Sequence, residues 1–178
     1  MRQLTGDLWQ LADEVKPDAV AITTNGFVRK DGRAVLGRGC ALEAATRYPW
    51  FPAALGLDLK LHGLRVTPFT GYHHNMPYIL TAFPVKPRQV IASEFNIVRH
   101  QRFHFPPGKV APGWAAVADL DLIKQSATQL MMLIGDHNWR LVLLPRPGVG
   151  NGGRSWEDEV KPLIEPILDD RVVVVSYK

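Results

Sequence analysis

Three stretches of the 178-residue chain combine residue types and spacing from which chemistry can be built. The first runs from Leu141 to Trp156. Leu141 to Leu144 is a short apolar run that reads as a strand buried on both faces. Gly148, Val149, Gly150, Asn151, Gly152 and Gly153 follow, and the glycines leave backbone N–H groups bare toward anything lying against the turn. Ser155 with Asp158 matches a capping box, so a helix starts there. Strand, glycine turn and helix N-terminus in that order suit an anion, typically phosphate. The turn is not a Walker loop, because no Gly-Lys-Ser/Thr follows, and its glycines are not spaced as Gly-x-Gly-x-x-Gly. On the glycines alone a flexible surface turn fits equally well. Pro145, Pro147 and Trp156 argue for a stiffened, anchored one.

The second stretch begins with Asp18 to Thr24, a strand rich in apolar and β-branched residues that ends at the turn signal Asn25-Gly26. A polar loop from Phe27 to Arg33 leads into Ala34 to Ala41, where Gly37, Arg38, Gly39 and Cys40 form another glycine-rich turn. Ala41 to Tyr48 then reads as a helix stopped by Pro49. Strand, glycine turn and helix thus occur twice, and two such units bring both turns to the sheet edge where α/β folds bind ligands. The third stretch is the strand Tyr78 to Val85, with Lys86 directly after it. A lysine there is most often a solvated charge. At that sheet edge, behind Phe83, Pro84 and Val85, its pKa can instead be lowered. It would then serve as nucleophile or base when neutral, or stabilise developing charge when protonated.

The elements that must position these residues follow from periodicity. Gly6 to Leu11 reads as an edge strand, and Trp50 to Leu61 as a second helical piece. Asp119 to Gly135 is an amphipathic helix with Leu120, Ile123, Ala127, Leu130 and Ile134 on one face. The helix after Ser155 directs Trp156, Val160, Leu163 and Ile167 inward, with Pro162 and Pro166 kinking or breaking it. Arg171 to Tyr177 is a buried strand. The alternation predicts one α/β domain over residues 1–178 with a parallel or mixed sheet, interrupted by an insertion at about 87–116.

That segment is basic and aromatic. Lys86, Arg88, Arg99, Arg102 and Lys109 face the single acid Glu94, with Phe95, His100, Phe103, His104 and Phe105 interleaved. Such a mixture suits a single nucleic-acid strand, with phosphates on the arginines and bases on the rings. A surface hairpin with its phenylalanines packed inward fits equally well.

Bulk properties narrow the class. Hydrophobic residues make up 46% and charged residues 21%, ordinary for a globular protein. The net charge of +4 mildly favours anionic partners. The single cysteine, Cys40, precludes an intrachain disulfide and suits a reducing compartment. The N-terminus lacks an apolar signal core and no run approaches a membrane span, so the expectation is a cytoplasmic monomer away from membranes. His73-His74 is a lone pair, Cys40 lacks a paired histidine motif, and no metal cluster is visible.

Ala21-Ile-Thr-Thr-Asn25, Val35-Leu-Gly37-Arg38-Gly39-Cys40-Ala41-Leu42 and Leu144-Pro-Arg-Pro-Gly148-Val-Gly150-Asn151-Gly152-Gly153-Arg-Ser-Trp156 together resemble the macro domain family. Gly150 to Gly153 with Trp156, and Phe83-Pro84-Val85-Lys86, are most similar to its DNA ADP-ribosyl glycohydrolase antitoxin type. The resemblance implies a three-layer fold with a central mixed sheet flanked by helices. It also implies an ADP-ribose site that needs no cofactor. Asn25 would bond the distal ribose. Gly37, Arg38, Gly39, Cys40 and the Gly148–Gly153 loop would hold the diphosphate, and Asp7 lies near the family's adenine-binding acid. Lys86 stands at the catalytic lysine position, and Arg88, Arg99, Arg102 and Phe103 would meet a nucleic-acid target. Arg38 replaces the usual lysine, and Gly152 stands near an aspartate of the terminal-ADP-ribose hydrolases. An ADP-ribose reader without activity and a phosphatase of phosphorylated ADP-ribose are the alternatives.

Overall fold

A computed structural model describes residues 1–91 and 93–177; the side chains of residues 73–75, and with them the rings of His73 and His74, lie outside the described residues. The elements in order are β1 (Arg2–Thr5), α1 (Leu8–Val15), β2 (Ala19–Asn25), α2 (Gly39–Arg47), α3 (Phe51–His62), β3 (Thr67–Pro68), β4 (Ile79–Lys86), β5 (Gln89–Val90), β6 (Val110–Ala111), α4 (Leu120–Asp136), β7 (Val142–Pro145), α5 (Lys161–Ile164) and β8 (Val172–Ser176). Six strands form one sheet in the order β1-β8-β7-β2-β4-β3, parallel throughout except for β3 at its edge.

Strand alternation explains the three layers. Val20, Ile22, Leu80, Ala82, Leu143, Val173 and Val175 point to one face and pack on α1, α2 and α3. Ala19, Ala21, Phe83, Val85, Val142, Leu144, Val172 and Val174 point to the other and pack on α4 and the helix after Ser155. Both faces are covered, which is why β7 and β8 read as unbroken apolar runs.

Three expectations need correction. Gly6 to Leu11 is not a strand. Asp7 caps α1 instead, its Oδ1 accepting from Trp9 N–H (2.9 Å) and Gln10 N–H (2.8 Å). The first strand is the preceding polar segment, held at the sheet edge by parallel pairing with β8. The helix after Ser155 opens with a π-helical turn, Trp156–Val160. The extra residue in that turn shifts the inward register. Ile164 and Leu168 are buried after it, while Leu163 and Ile167 are only half-buried. The cap also differs in detail: Ser155 Oγ accepts from Asp158 N–H, but the carboxylate reaching back to Ser155 N–H (2.8 Å) belongs to Glu159.

The described residues of the segment after Lys86 build a small unit of their own. β5 and β6 pair antiparallel, Ile97 bridges Ala116, and Ile91, Ile97 and Ala111 form a small core with Phe105 against it. Gly113 lies so close to the main chain that an added Cβ would stand 2.9 Å from the Pro87 carbonyl oxygen. This excursion is therefore clamped against the end of β4.

Candidate active site

The parallel strands β2, β4, β7 and β8 all end on one cavity of about 720 Å³. That is the size of a small-molecule site, at the carboxyl edge where α/β sheets place them. A register irregularity between Thr24 and Asn25 brings Asn25 opposite Lys86, and Gly26 N–H donates to the Lys86 carbonyl (2.8 Å). Asn25 Oδ1 accepts from Phe27 N–H (2.9 Å) and its Nδ2 donates to the Val35 carbonyl (2.7 Å). The amide thus ties the first loop back while one donor hydrogen and one lone pair stay available.

The first glycine turn and α2 form one wall. Arg38 occupies the N-cap in extended backbone and makes no side-chain cap bond. The first N–H groups of α2 are therefore left for a ligand, at the positive end of the helix dipole. Gly37, Arg38, Gly39 and Cys40 all line the cavity. Cys40 Sγ lies 3.3 Å from Thr23 Oγ1, and burial pushes its pKa up, so it remains a neutral lining thiol.

The second glycine turn forms the opposite wall. Gly148 has φ +73°, and a Cβ there would stand 2.6 Å from Ile123 Cδ1. A Cβ on Gly152 would stand 2.1 Å from the Gly148 carbonyl oxygen. The backbone therefore folds on itself too closely for any side chain at 152, which is why no carboxylate can occupy that place here. A Cβ on Gly150 meets nothing within 4 Å. Gly148, Val149, Gly150, Asn151 and Gly152 line the cavity, whereas Gly153 is not part of its wall and lies near Val98. Asp7 is also outside the wall. It lines a shallow neighbouring depression that shares Gly6 and Tyr177 with the cavity, and its Oδ1 is occupied by the α1 cap.

Lys86 is buried, with 6% of its surface exposed. Its Nζ donates to the Asn151 carbonyl (2.5 Å) and to the Trp114 carbonyl (3.3 Å). Among the described residues no carboxylate pairs with it. Burial, and secondarily the Arg38 guanidinium, lower its pKa to about 8. The cavity wall holds Arg38, Lys86 and Arg146 against one carboxylate, Glu43, which already accepts from Trp9 Nε1 (2.9 Å). This balance attracts anions. Arg146 is itself stacked over the Trp156 ring, 4.8 Å from its centroid.

The excursion contributes His100, Gln101 and Trp114 to the wall. Arg88, Arg99, Arg102 and Phe103 lie outside it on the same excursion. Arg88, Arg99 and Phe103 are exposed, Phe103 to 94%. Arg102 is half-buried, its Nε donating to the Ile97 carbonyl (3.4 Å) and its guanidinium 5.4 Å over the Phe95 ring. Inward packing describes Phe105, which sits 5.5 Å from Trp114, and does not describe Phe103. Sequence reasoning missed Glu43, His100, Gln101, Trp114, Arg146, Ser176 and Tyr177 as cavity residues. The strand-end rule applied to β7 and β8 finds the last three; nothing local marks the others. Among the described residues no three His, Cys, Asp or Glu cluster as metal ligands, and no helix is long and apolar enough to cross a membrane.

No protein-family model matches the chain. No curated protein matches it by sequence. Solved structures do. The macrodomain of Thermus aquaticus DarG superposes with a TM-score of 0.66 at 21% identity, covering 99% of this chain and 97% of that one. The macrodomain of Mycobacterium tuberculosis DarG does so with a TM-score of 0.66 at 23% identity, covering 99% and 95%. Thermosipho africanus DarTG, solved in complex with ADP-ribose, gives a TM-score of 0.70 at 13% identity over all of this chain but 42% of its own. The cavity between two glycine turns thus sits in a six-stranded mixed sheet flanked by helices, and the chain has the macrodomain fold.

Proposed function

We propose that the chain binds ADP-ribose and hydrolyses it from a modified macromolecule, with nucleic acid as the target its basic excursion fits. The observation that carries the reading is Lys86: a buried lysine with no carboxylate partner among the described residues, in the wall of an anion-attracting cavity. The ADP-ribose in the Thermosipho complex supports the choice of ligand. The α2 N–H groups, Arg38 and the bare backbone around Gly150 hold the diphosphate, and Asn25 offers its spare amide valences to the distal ribose. In hydrolysis the bond from the ribose anomeric carbon to the base breaks. Water supplies the new oxygen, and the base leaves with the electron pair and needs a proton. Both Lys86 partners are carbonyl oxygens, which favour the ammonium form. With a pKa of about 8 it is largely protonated at neutral pH yet gives up its proton readily. It therefore serves the departing base, its third N–H pointing away from the two carbonyls.

A second reading keeps the binding and drops the chemistry. The same two bonds make Lys86 a clamp between the Gly148–Gly153 loop and the excursion, as a reader of ADP-ribose would need. Incubation with ADP-ribosylated DNA, RNA and protein, following free ADP-ribose over time, separates the readings. Release from one substrate class supports the hydrolase and names its target; binding of ADP-ribose with no release from any of them leaves the reader.

A further inference from the structure

We propose that His100 takes the proton from the attacking water, forming with Lys86 an acid–base pair in the wall of one cavity; this rests on the hydrolase reading above. Hydrolysis of the ribosyl–base bond moves two protons, one off the water and one onto the leaving base. Lys86 serves the second, and the first needs a neutral base within reach of the anomeric carbon. Glu43 is held toward α1 by its Oε2, which accepts from the Trp9 indole (2.9 Å), and Cys40 holds its proton. Tyr177 lies at the β8 end of the cavity, away from Lys86 on β4.

His100 is placed for the task. It sits on a single 3₁₀ turn, Arg99–Gln101, fixed by Val98 N–H to the Ala115 carbonyl (3.0 Å) and Gln101 N–H to the Val98 carbonyl (2.8 Å). His100 and Gln101 both line the cavity, on the same excursion as Trp114, whose carbonyl holds Lys86. Neither ring nitrogen has a hydrogen-bond or ion-pair partner among the described residues, so either can accept a proton. His100 is exposed, yet the desolvation it does feel at the cavity wall, then the charges of Arg38 and Lys86, hold its pKa below the ordinary histidine value. Arg99 and Arg102 on its own segment and Arg146 in the cavity wall add positive charge, while among the described residues Glu43 is the one carboxylate in the wall. The imidazole is thus neutral at physiological pH while Lys86 is charged. Two groups whose environments push their protonation states apart make an acid–base assignment.

The step balances. His100 takes a proton from water as the oxygen bonds to the anomeric carbon, the carbon–base bond breaks, and the base takes the proton of Lys86. Solvent then removes the proton from His100 and restores that of Lys86, leaving ADP-ribose and the free base.

The test is His100→Gln, assayed with ADP-ribosylated single-stranded DNA. The expected result is a kcat lower by roughly 10²-fold or more, unchanged ADP-ribose affinity, and loss of the acidic limb of the kcat–pH profile. Added imidazole should restore turnover to His100→Ala, which no purely structural role explains. Independently of turnover, the His100 ring proton followed by NMR should titrate below the ordinary histidine range. Its midpoint should move up when ADP-ribose neutralises Arg38. Because His100 is exposed and unbonded, neither variant should change the melting temperature. A His100→Gln enzyme with wild-type kcat and an intact acidic limb overturns the assignment, as does a parallel loss of ADP-ribose affinity. A wild-type protein that binds ADP-ribose but never releases it from a substrate overturns the hydrolase reading itself, and this assignment with it.

Discussion

Replacing Gly152 by alanine should damage both stability and binding, while the same change at Gly150, two residues away, should be harmless. At position 152 the new Cβ would stand 2.1, 2.4 and 2.6 Å from the carbonyl oxygen, carbonyl carbon and Cα of Gly148. All three are backbone atoms, so no rotamer change relieves the clash and the loop must open. That opening pulls on the bond from Ala118 N–H to the Gly152 carbonyl (2.9 Å), which fixes the loop to the segment entering α4. Forced overpacking of this kind costs about 1–3 kcal/mol. For a chain of this size that lowers the melting temperature by roughly 2–12 °C. At position 150 the backbone has an ordinary φ and nothing lies within 4 Å of the added carbon. Gly150→Ala should be neutral, or gain about 0.4–1 kcal/mol from a less flexible unfolded chain. Gly150→Glu should also fold, but its carboxylate should fill the proposed cradle and repel a diphosphate there. Thermal unfolding with and without ADP-ribose reads out all three. At 100 times its Kd a ligand adds about 2.7 kcal/mol to the native state. The wild type and Gly150→Ala should show that gain, and Gly150→Glu should lose it. A Gly152→Ala protein with the wild-type melting temperature and full ADP-ribose stabilisation would refute the loop geometry. A folded Gly150→Glu protein that still binds would refute the placement of the diphosphate.

Native stability should rise from about pH 8 to 10.5 through Lys86. Its folded pKa is lowered from 10.5 to about 8, so in that window the unfolded chain binds the extra proton. Urea unfolding across the range should show a gain of about 3 kcal/mol that disappears in Lys86→Met. If Lys86 acts as the acid, the hydrolytic rate should fall as pH rises through about 8, and a rate that climbs there would assign the neutral amine instead. Arg99→Ala with Arg102→Ala should lessen the salt dependence of single-stranded DNA binding by about two phosphate contacts, with ADP-ribose affinity unchanged. Phe103→Ala should weaken DNA binding by about 1–3 kcal/mol without changing the melting temperature, because the ring is 94% exposed; a drop in melting temperature would count against the stacking role.

The readable parts of the fold were those where one local signal decides. The strands β2, β4, β7 and β8 are apolar because both faces are covered, and Asp119 to Gly135 shows its buried stripe directly. The glycine turns were legible because four of their residues have a physical demand for glycine: Gly39, Gly148 and Gly153 through positive φ, and Gly152 through backbone contact. β1 was not legible. Its residues Arg2 to Thr5 are exposed and, apart from Leu4, polar, and only pairing with β8, some 170 positions away, makes them a strand. The apolar residues of Gly6 to Leu11 imitated a strand because Leu8, Trp9 and Leu11 fit either period over so short a span. The inward shift to Ile164 and Leu168 depends on one π-helical turn, which no spacing announces. In the site, the ends of β2 and β4 marked Asn25 and Lys86, but the register that makes them neighbours is a tertiary fact. His100 and Trp114 reach the cavity only because the excursion folds back on β4, through contacts distant in sequence.

The most direct test of the account is a single-turnover comparison of the wild type and Lys86→Ala on ADP-ribosylated single-stranded DNA, with ADP-ribose affinity measured on the same samples. The wild type should release free ADP-ribose and restore the unmodified strand. Lys86→Ala should bind ADP-ribose nearly as well and release none, because the loops bind and the lysine reacts. Release by Lys86→Ala at the wild-type rate would contradict the central claim.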